Sequence, residues 1–292
     1  MFVAILAARS GWHTDELTRA LAVRGARATV FPYESLVASM GSRTALAAPH
    51  ENLLAADAAL ARIIPNGSLE QIVFRVDALH WLEESGVPVM NPPRAIERTV
   101  DKFYTSALLS RAGLATPDTV VCERADDAMA AFRDLRDVIV KPLVGSMGLG
   151  MVRVSDEEIA WRVFRALEAI HGVYYVQRTI EHEGRDVRVF VVGDRVVGAI
   201  ERSAAGWRTN LARGGRARAI TLPAEWHAMA LCAARTVGAA YAGVDLLPAR
   251  DGSVYVLEVN GIPGWHGLQT TTSLDVAQAI VDHLLDTYRV QP

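Results

Sequence analysis

The stretch 243–260 reads Gly-Val-Asp-Leu-Leu-Pro-Ala-Arg-Asp-Gly-Ser-Val-Tyr-Val-Leu-Glu-Val-Asn. Two apolar-rich runs flank Asp251-Gly252, a dipeptide suited to a tight turn, so the segment predicts an antiparallel hairpin over 243–250 and 253–260. With that tip, Arg250 faces Ser253, and the same register carried back along the strands sets Asp245 opposite Glu258. Asn260, two residues on, shares their face. Directly opposed carboxylates repel, while Val244, Leu246, Val256, Leu257 and Val259 are what a half-buried pair of strands wants. The pattern therefore asks for a cation between the two acids. An all-oxygen set of Asp, Glu and Asn suits Mg²⁺ or Mn²⁺ rather than zinc, and Mg²⁺ takes few protein ligands where phosphate supplies the rest. That points to a phosphate-bearing substrate. The alternative is that one carboxylate faces solvent or pairs with an arginine.

The rest of the chain divides at two places. The apolar run 2–7 predicts a buried strand, followed by a helix opened by Thr14 with Asp15 and Glu16 in its first turn and closed by Gly25. Strands at 28–31, 71–76 and 87–90 would complete a small parallel sheet, and Asn91-Pro92-Pro93 then reads as a linker. This gives an N-terminal α/β unit over 1–93. The dinucleotide fingerprint Gly-x-Gly-x-x-Gly is missing after the first strand. A central unit over 94–172 follows. It has a helical stretch over 94–113, a helix near 126–135, strands at 138–141 and 151–154, and a helix with Ile159, Val163, Ala166 and Ile170 on one face. The last unit, 173–292, holds a hairpin around Gly193-Asp194, an Ala-rich helix over 224–237 with Trp226, Met229, Ala230 and Ala233 inward, the acidic hairpin, and a final helix over 275–288. The fold class is thus α/β followed by α+β.

Two further groups complement the acids. Gly145-Ser146-Met147-Gly148-Leu149-Gly150 follows Lys141, a lysine closing an apolar strand, and a loop of this kind brings backbone N–H groups close to an anion. It lacks the Gly-Lys-Ser/Thr ending of a P-loop; read blandly, it is a turn and Lys141 a snorkelling edge residue. Arg185, Arg188, Arg202, Arg208 and Arg213 gather around the first hairpin and its following loop, where guanidinium forks suit phosphates and carboxylates. The basic run 213–218 lacks interleaved aromatics, and with 30 Lys plus Arg against 33 Asp plus Glu the chain lacks the charge of a general nucleic-acid binder. No run is long and apolar enough for a membrane span. Cys122 and Cys232 lack metal-site spacing and read as reduced thiols of a cytoplasmic protein. The histidines His80, His171, His227 and His283 have no partner at ligand spacing, and neither a Gly-x-Ser-x-Gly elbow nor a His-Glu-x-x-His motif is present.

Taken together, several stretches resemble the RimK-like α-L-glutamate ligases of the ATP-grasp class. They are Val140-Lys141-Pro142 with its glycine loop, Val192-Gly193-Asp194-Arg195-Val196-Val197, Ala199-Ile200-Glu201-Arg202, Arg208-Thr209-Asn210-Leu211-Ala212-Arg213-Gly214-Gly215, Gly243-Val244-Asp245-Leu246-Leu247 and Glu258-Val259-Asn260-Gly261-Ile262-Pro263-Gly264. The resemblance covers about the C-terminal two-thirds and implies an ATP-grasp fold behind an N-terminal parallel-sheet domain. By it, Lys102 and Lys141 would bind ATP phosphates under the loop Gly145, Ser146, Met147 and Gly148. Gln177, Arg178 and Thr179 would offer backbone groups to adenine, Asp186 would meet the ribose, and Arg188 would join the nucleotide site. Asp245, Glu258 and Asn260 would hold Mg²⁺ or Mn²⁺, two ions in all. Arg202, Asn210 and Arg213 would face the γ-phosphate and the reacting carboxylate.

The implied reaction activates a carboxylate as an acyl phosphate, releases ADP, and lets an amine displace phosphate to leave an amide. The expected partners are a small-molecule carboxylate acceptor, such as a tetrahydromethanopterin-type pterin, or a peptide terminus, with L-glutamate as the amine and a homo-oligomer as the assembly. Alternatives are an amino-acid ligase acting on a carrier protein and a nucleotide-binding sensor without chemistry. Two positions depart from the family pattern: Arg178, where an acidic residue is usual, and Gly261-Ile262, where a small residue and then Ser are common.

Overall fold

A computed structural model of the chain describes residues 1–42, 44–49, 51–145, 148–203 and 216–287. Its first layer is a parallel sheet in the order Arg27–Pro32, Phe2–Ala7, Ala58–Ala61, Val89–Met90. All six residues of Phe2–Ala7 are buried, as a central strand covered on both faces requires. Residues 71–76, expected as a strand, instead lie within the helix Leu69–Glu84. Ser68 caps that helix by accepting from the Gln71 amide, and Gln71 Oε1 accepts from the Ser68 amide in return. The reciprocal cap and the buried stripe Arg75, Ala78, Leu79, Leu82 outweigh the β-branched content of the segment. The remaining strand is the fully buried Ala58–Ala61. The first helix is Trp12–Val23, so Thr14 is its third residue rather than its opening one, exchanging hydrogen bonds with Gly11.

The middle sheet is antiparallel, ordered Val152–Val154, Val138–Lys141, Tyr174–Arg178, Thr119–Cys122. The division expected at residue 172 thus falls before a strand that belongs to this sheet. Residues 94–113 form two helices, Pro93–Val100 and Lys102–Arg111, parted at Asp101, which caps the second through the Tyr104 amide. In Glu157–Glu168 the buried stripe is Ala160 and Phe164, flanked by Val163 and Leu167. Ile159, Ala166 and Ile170, expected inward, are exposed, because the helix is rotated by about one position from the expected phase.

The third sheet is antiparallel, ordered Arg216–Ala219, Arg195–Ser203, Arg185–Val192, Tyr241–Pro248, Val254–Asn260. Both expected hairpins form. The Ala-rich helix Ala224–Val237 packs its Ala230, Ala233 and Ala234 on one face of this sheet. The other face shares a core with the N-terminal unit: Val3, Ile5, Leu17 and Leu21 pack with Phe190, Ile200, Trp265 and the final helix Val276–Thr287. The N-terminal third is therefore fastened to the last sheet by a common hydrophobic core. Among the described residues no helix is long and apolar enough to cross a membrane.

Candidate active site

The acidic hairpin puts Asp245 opposite Glu258, as its sequence predicts, by a different route. Near the tip Ala249, not Arg250, faces Ser253, with Gly252 in the left-handed region at φ 89°. Pairing proceeds in that shifted register up to Leu246 with Val256, and a bulge at Leu257 then restores the expected one. The Asn260 Nδ2 donates to Glu258 Oε1 at 3.0 Å, so these two side chains share a face.

A cation does sit against the acids, and it is Arg188. On the neighbouring strand, register places Arg188 beside Asp245. Its Nε and Nη2 donate to the two Asp245 oxygens at 2.7 and 2.6 Å, and Nη2 lies 3.7 Å from Glu258 Oε1. Arg202 adds a second guanidinium: it donates to both oxygens of Asp186, at 2.7 and 2.6 Å, and its Nη2 is 3.0 Å from Asp245. Asp186, Arg202 and Asp245 are all buried, so these charges need one another. Burial works against the charge on Asp245, yet Arg188 and Arg202 outweigh it and hold the carboxyl well below its usual range. For Arg202 burial is likewise the largest influence, and the two aspartates overcome it, raising the guanidinium. A ribose contact at Asp186 would have to share the carboxylate with Arg202.

Facing this network from the middle sheet is Lys141, 9% exposed, whose Nζ donates to Gln177 Oε1 at 2.5 Å. Gln177 is held in turn by Nε2 bonds to Thr119 Oγ1 and the Tyr175 hydroxyl, and the Tyr175 ring lies 5.8 Å from the ammonium. Burial pushes Lys141 down to about 8; the negative charge of Glu258 opposes the shift and Lys102 adds to it. Lys102 is lowered too, again chiefly by burial, with Glu258 opposing. Both lysines thus feel the charge of Glu258, and the helix that Lys102 opens packs on the strand that carries Glu258. Lys102 Nζ donates to the Gly145 carbonyl at 2.6 Å and so ties the glycine loop to the helix Lys102–Arg111. In that loop Gly148 and Gly150 hold positive φ, and a Cβ on Gly150 would collide with Pro142.

The segment Gln177–Thr179, expected to meet adenine, is partly committed to the fold. The amides of Arg178 and Thr179 donate to the carbonyls of Asp118 and Asp137, while the Arg178 guanidinium pairs with Asp118 at 2.9 Å. Arg178, the departure from the acidic residue usual there, thus has a structural partner on the neighbouring strand connection. Ile262, the second departure, packs against the N-terminal core, and a Cβ on Gly261 would press on Thr99. Ser146, Met147, Asn210 and Arg213 lie outside the described residues.

The donor chemistry fits a hard divalent cation. Among the described residues no three His, Cys, Asp or Glu gather at metal-binding spacing. The hairpin instead offers two carboxylates and a carboxamide, a set suited to an ion that takes its other ligands from phosphate. Any such ion would share Asp245 with Arg188. Three residues of this arrangement have no spacing signal in the sequence: Tyr175, and two N-terminal residues, Arg62 and Asn91, that hold the end of the hairpin.

A family model described as the RimK-like ATP-grasp domain matches residues 99–284. The tetrahydromethanopterin:alpha-L-glutamate ligase of Methanococcus maripaludis is 32% identical over 291 residues, covering 98% of each chain. A probable alpha-L-glutamate ligase of Pseudomonas fluorescens is 37% identical over 231 residues, covering 76% of this chain and 75% of its own. Among solved structures, the ATP-grasp ligase PsnB complexed with minimal precursor, Mg and ADP superposes with a TM-score of 0.77 at 22% identity, covering 98% of this chain and 97% of that one.

Proposed function

The chain belongs to the RimK-like ATP-grasp family of ATP-dependent ligases, and from that premise we propose that it adds L-glutamate to the carboxylate of a cofactor-like small molecule of the tetrahydromethanopterin type. The observation that carries this reading is that Lys102 and Lys141 both lie within electrostatic reach of Glu258, on the hairpin that also bears Asp245 and Asn260. Two cations opposite a divalent-metal donor set suit a polyphosphate. The full-length similarity to a ligase with that acceptor supports the substrate class.

In this reading the acceptor carboxylate attacks the γ-phosphorus of ATP, the bond to the β,γ-bridging oxygen breaks, and ADP leaves. The glutamate amine, having lost a proton, then attacks the acyl phosphate carbon, and inorganic phosphate departs as the amide forms. Lys141, oriented by Gln177, and Lys102, tied to the glycine loop, hold the phosphates. Asp245, Glu258 and Asn260 would hold Mg²⁺ or Mn²⁺, two ions, which neutralise charge on the phosphate oxygens when bound. Arg188 compensates the charge of Asp245 and Glu258. Arg202, held by Asp186, fixes Asp245; with Asn210 and Arg213 it is assigned to the γ-phosphate and the developing oxyanion. Alignment and charge compensation supply most of the barrier reduction in such a transfer.

The test is incubation with ATP, Mg²⁺, L-glutamate and a panel holding pterin carboxylates, a peptide with a free C-terminus and a carrier protein. ADP and phosphate should appear only when acceptor and amine are both present, with one glutamyl unit gained by a pterin carboxylate. ADP release indifferent to every amine, or gain confined to the peptide or carrier protein, would overturn the reading.

A further inference from the structure

Asn91 follows the short strand Val89–Met90 at the carboxyl edge of the N-terminal sheet, and it is completely buried. Its carboxamide acts as a fragment of strand. Oδ1 accepts from the Tyr241 amide at 3.0 Å, while Nδ2 donates to the Tyr241 carbonyl at 2.7 Å and to the Gly261 carbonyl. Tyr241 opens the strand that carries Asp245, and Gly261 directly follows Asn260. One side chain therefore bridges both strands of the acidic hairpin where their ladder ends, just beyond the pair Gly243 and Asn260.

Two more N-terminal residues continue the grip. Arg62, 3% exposed and immediately after Ala58–Ala61, donates to the Tyr241 hydroxyl at 3.0 Å and to the Pro263 carbonyl at 3.1 Å, with its guanidinium 4.8 Å from the Trp265 ring. His13, in the helix after Phe2–Ala7, accepts from the Trp265 amide through Nε2 at 3.1 Å. Alternate residues 261, 263 and 265 are thus each held by one side chain from the end of a different strand or crossover of the N-terminal sheet. Apolar contact alone would bury this interface. A set of directed hydrogen bonds does more, because it admits one register and one separation.

We infer that Asn91 and Arg62 are positioning residues for the cation-binding hairpin, setting the spacing of Asp245, Glu258 and Asn260 from the N-terminal domain without touching substrate. The inference rests on the reading of those three residues as metal ligands. Groups bonded directly to metal ligands commonly change metal affinity by about 10- to 100-fold when removed; Asn91 and Arg62 act one step further out, through the backbone of Gly261 and through Tyr241 and Pro263, so the low end of that range applies.

The experiment uses the full chain and titrates Mn²⁺ by electron paramagnetic resonance in the presence of a non-hydrolysable ATP analogue. Nucleotide affinity in EDTA and the urea midpoint are measured alongside. Asn91→Ala and Arg62→Lys should each weaken Mn²⁺ by about 10-fold or more, while metal-free nucleotide affinity stays within about 3-fold. Arg62→Lys keeps the charge and removes the two-pronged geometry, so it carries the test if Asn91→Ala does not fold. Mn²⁺ affinity unchanged in a folded variant, or metal-free nucleotide affinity falling in parallel with it, overturns the inference. A wild-type chain that takes up no Mn²⁺ with the analogue would instead sink the metal-site reading, and this inference with it.

Discussion

Arg188 holds both oxygens of Asp245, at 2.7 and 2.6 Å, from the adjacent strand of the same sheet. The same guanidinium reaches toward Glu258, so one arginine resolves the repulsion that two facing acids would create. On the proposed reading a metal ion would compete with Arg188 for Asp245. Arg188→Met should therefore tighten Mn²⁺ binding in the absence of nucleotide while lowering ATP turnover. It should also cost about 1–3 kcal/mol of stability, less than a fully buried pair, because Arg188 is partly exposed. Mn²⁺ titration and urea unfolding of the variant check all three directions.

Glu258 offers a cleaner removal of charge, since its side chain is 38% exposed. Glu258→Gln should lower turnover by at least about 100-fold, as losing one preorganised charge contact typically does. Its melting temperature should remain within a few degrees of wild type. Steady-state ADP release and calorimetry measure the two quantities.

The pH dependence follows from Lys141, lowered by burial from 10.5 to about 8. Between these values the unfolded chain binds a proton that the folded chain does not. Stability attributable to this group therefore rises with pH across that window, and the cost of burying the charge is fully present below 8. A triphosphate bound beside Lys141, as proposed, would favour the charged form. Its affinity should fall by up to about tenfold per pH unit above 8, with proton uptake on binding. Calorimetry in two buffers of different ionisation enthalpy detects the uptake, and Lys141→Arg should flatten the slope.

The phase of the helix Glu157–Glu168 can be tested directly. Phe164 is 1% exposed and Ile159 46% exposed. Phe164→Ala should cost about 3–5 kcal/mol, whereas Ile159→Ser should stay within about 0.5 kcal/mol of wild type. Urea midpoints of the two variants distinguish this phase from the one that buries Ile159.

How much of this was legible in the sequence depends on how local each signal is. Asp251-Gly252 between apolar runs announces a hairpin, and the opposed acids follow, although the structure reaches that pairing through two offsets that cancel. The helix Leu69–Glu84 reads as a strand because Ile72, Val73 and Val76 mimic one, while its true signature, Ser68 with Gln71, is a cap three residues wide. The strand Ala58–Ala61 carries no β-branched residue and becomes a strand by burial alone. Asn91 lies 150 and 170 residues from its partners, so no spacing rule could reveal it, and its Asn-Pro-Pro context reads simply as a linker. The same holds for Lys141 and Gln177: each was identifiable as a nucleotide-binding candidate, but their mutual bond exists only across a sheet.

The bulge at Leu257 separates the turn of the acidic hairpin from the acids themselves. Changes in length beyond Leu246 and Val256 can be absorbed there, because the other end of the hairpin is clamped by the strand Arg185–Val192 and by Asn91. With Ala249 and Arg250 tied to His182 and Glu181, the turn beyond them is the part that can diversify among descendants of this chain while the chemistry stays in phase. A Gly-Ser insertion between Asp251 and Gly252 should leave ATP turnover intact, as kinetic assay of that variant would reveal.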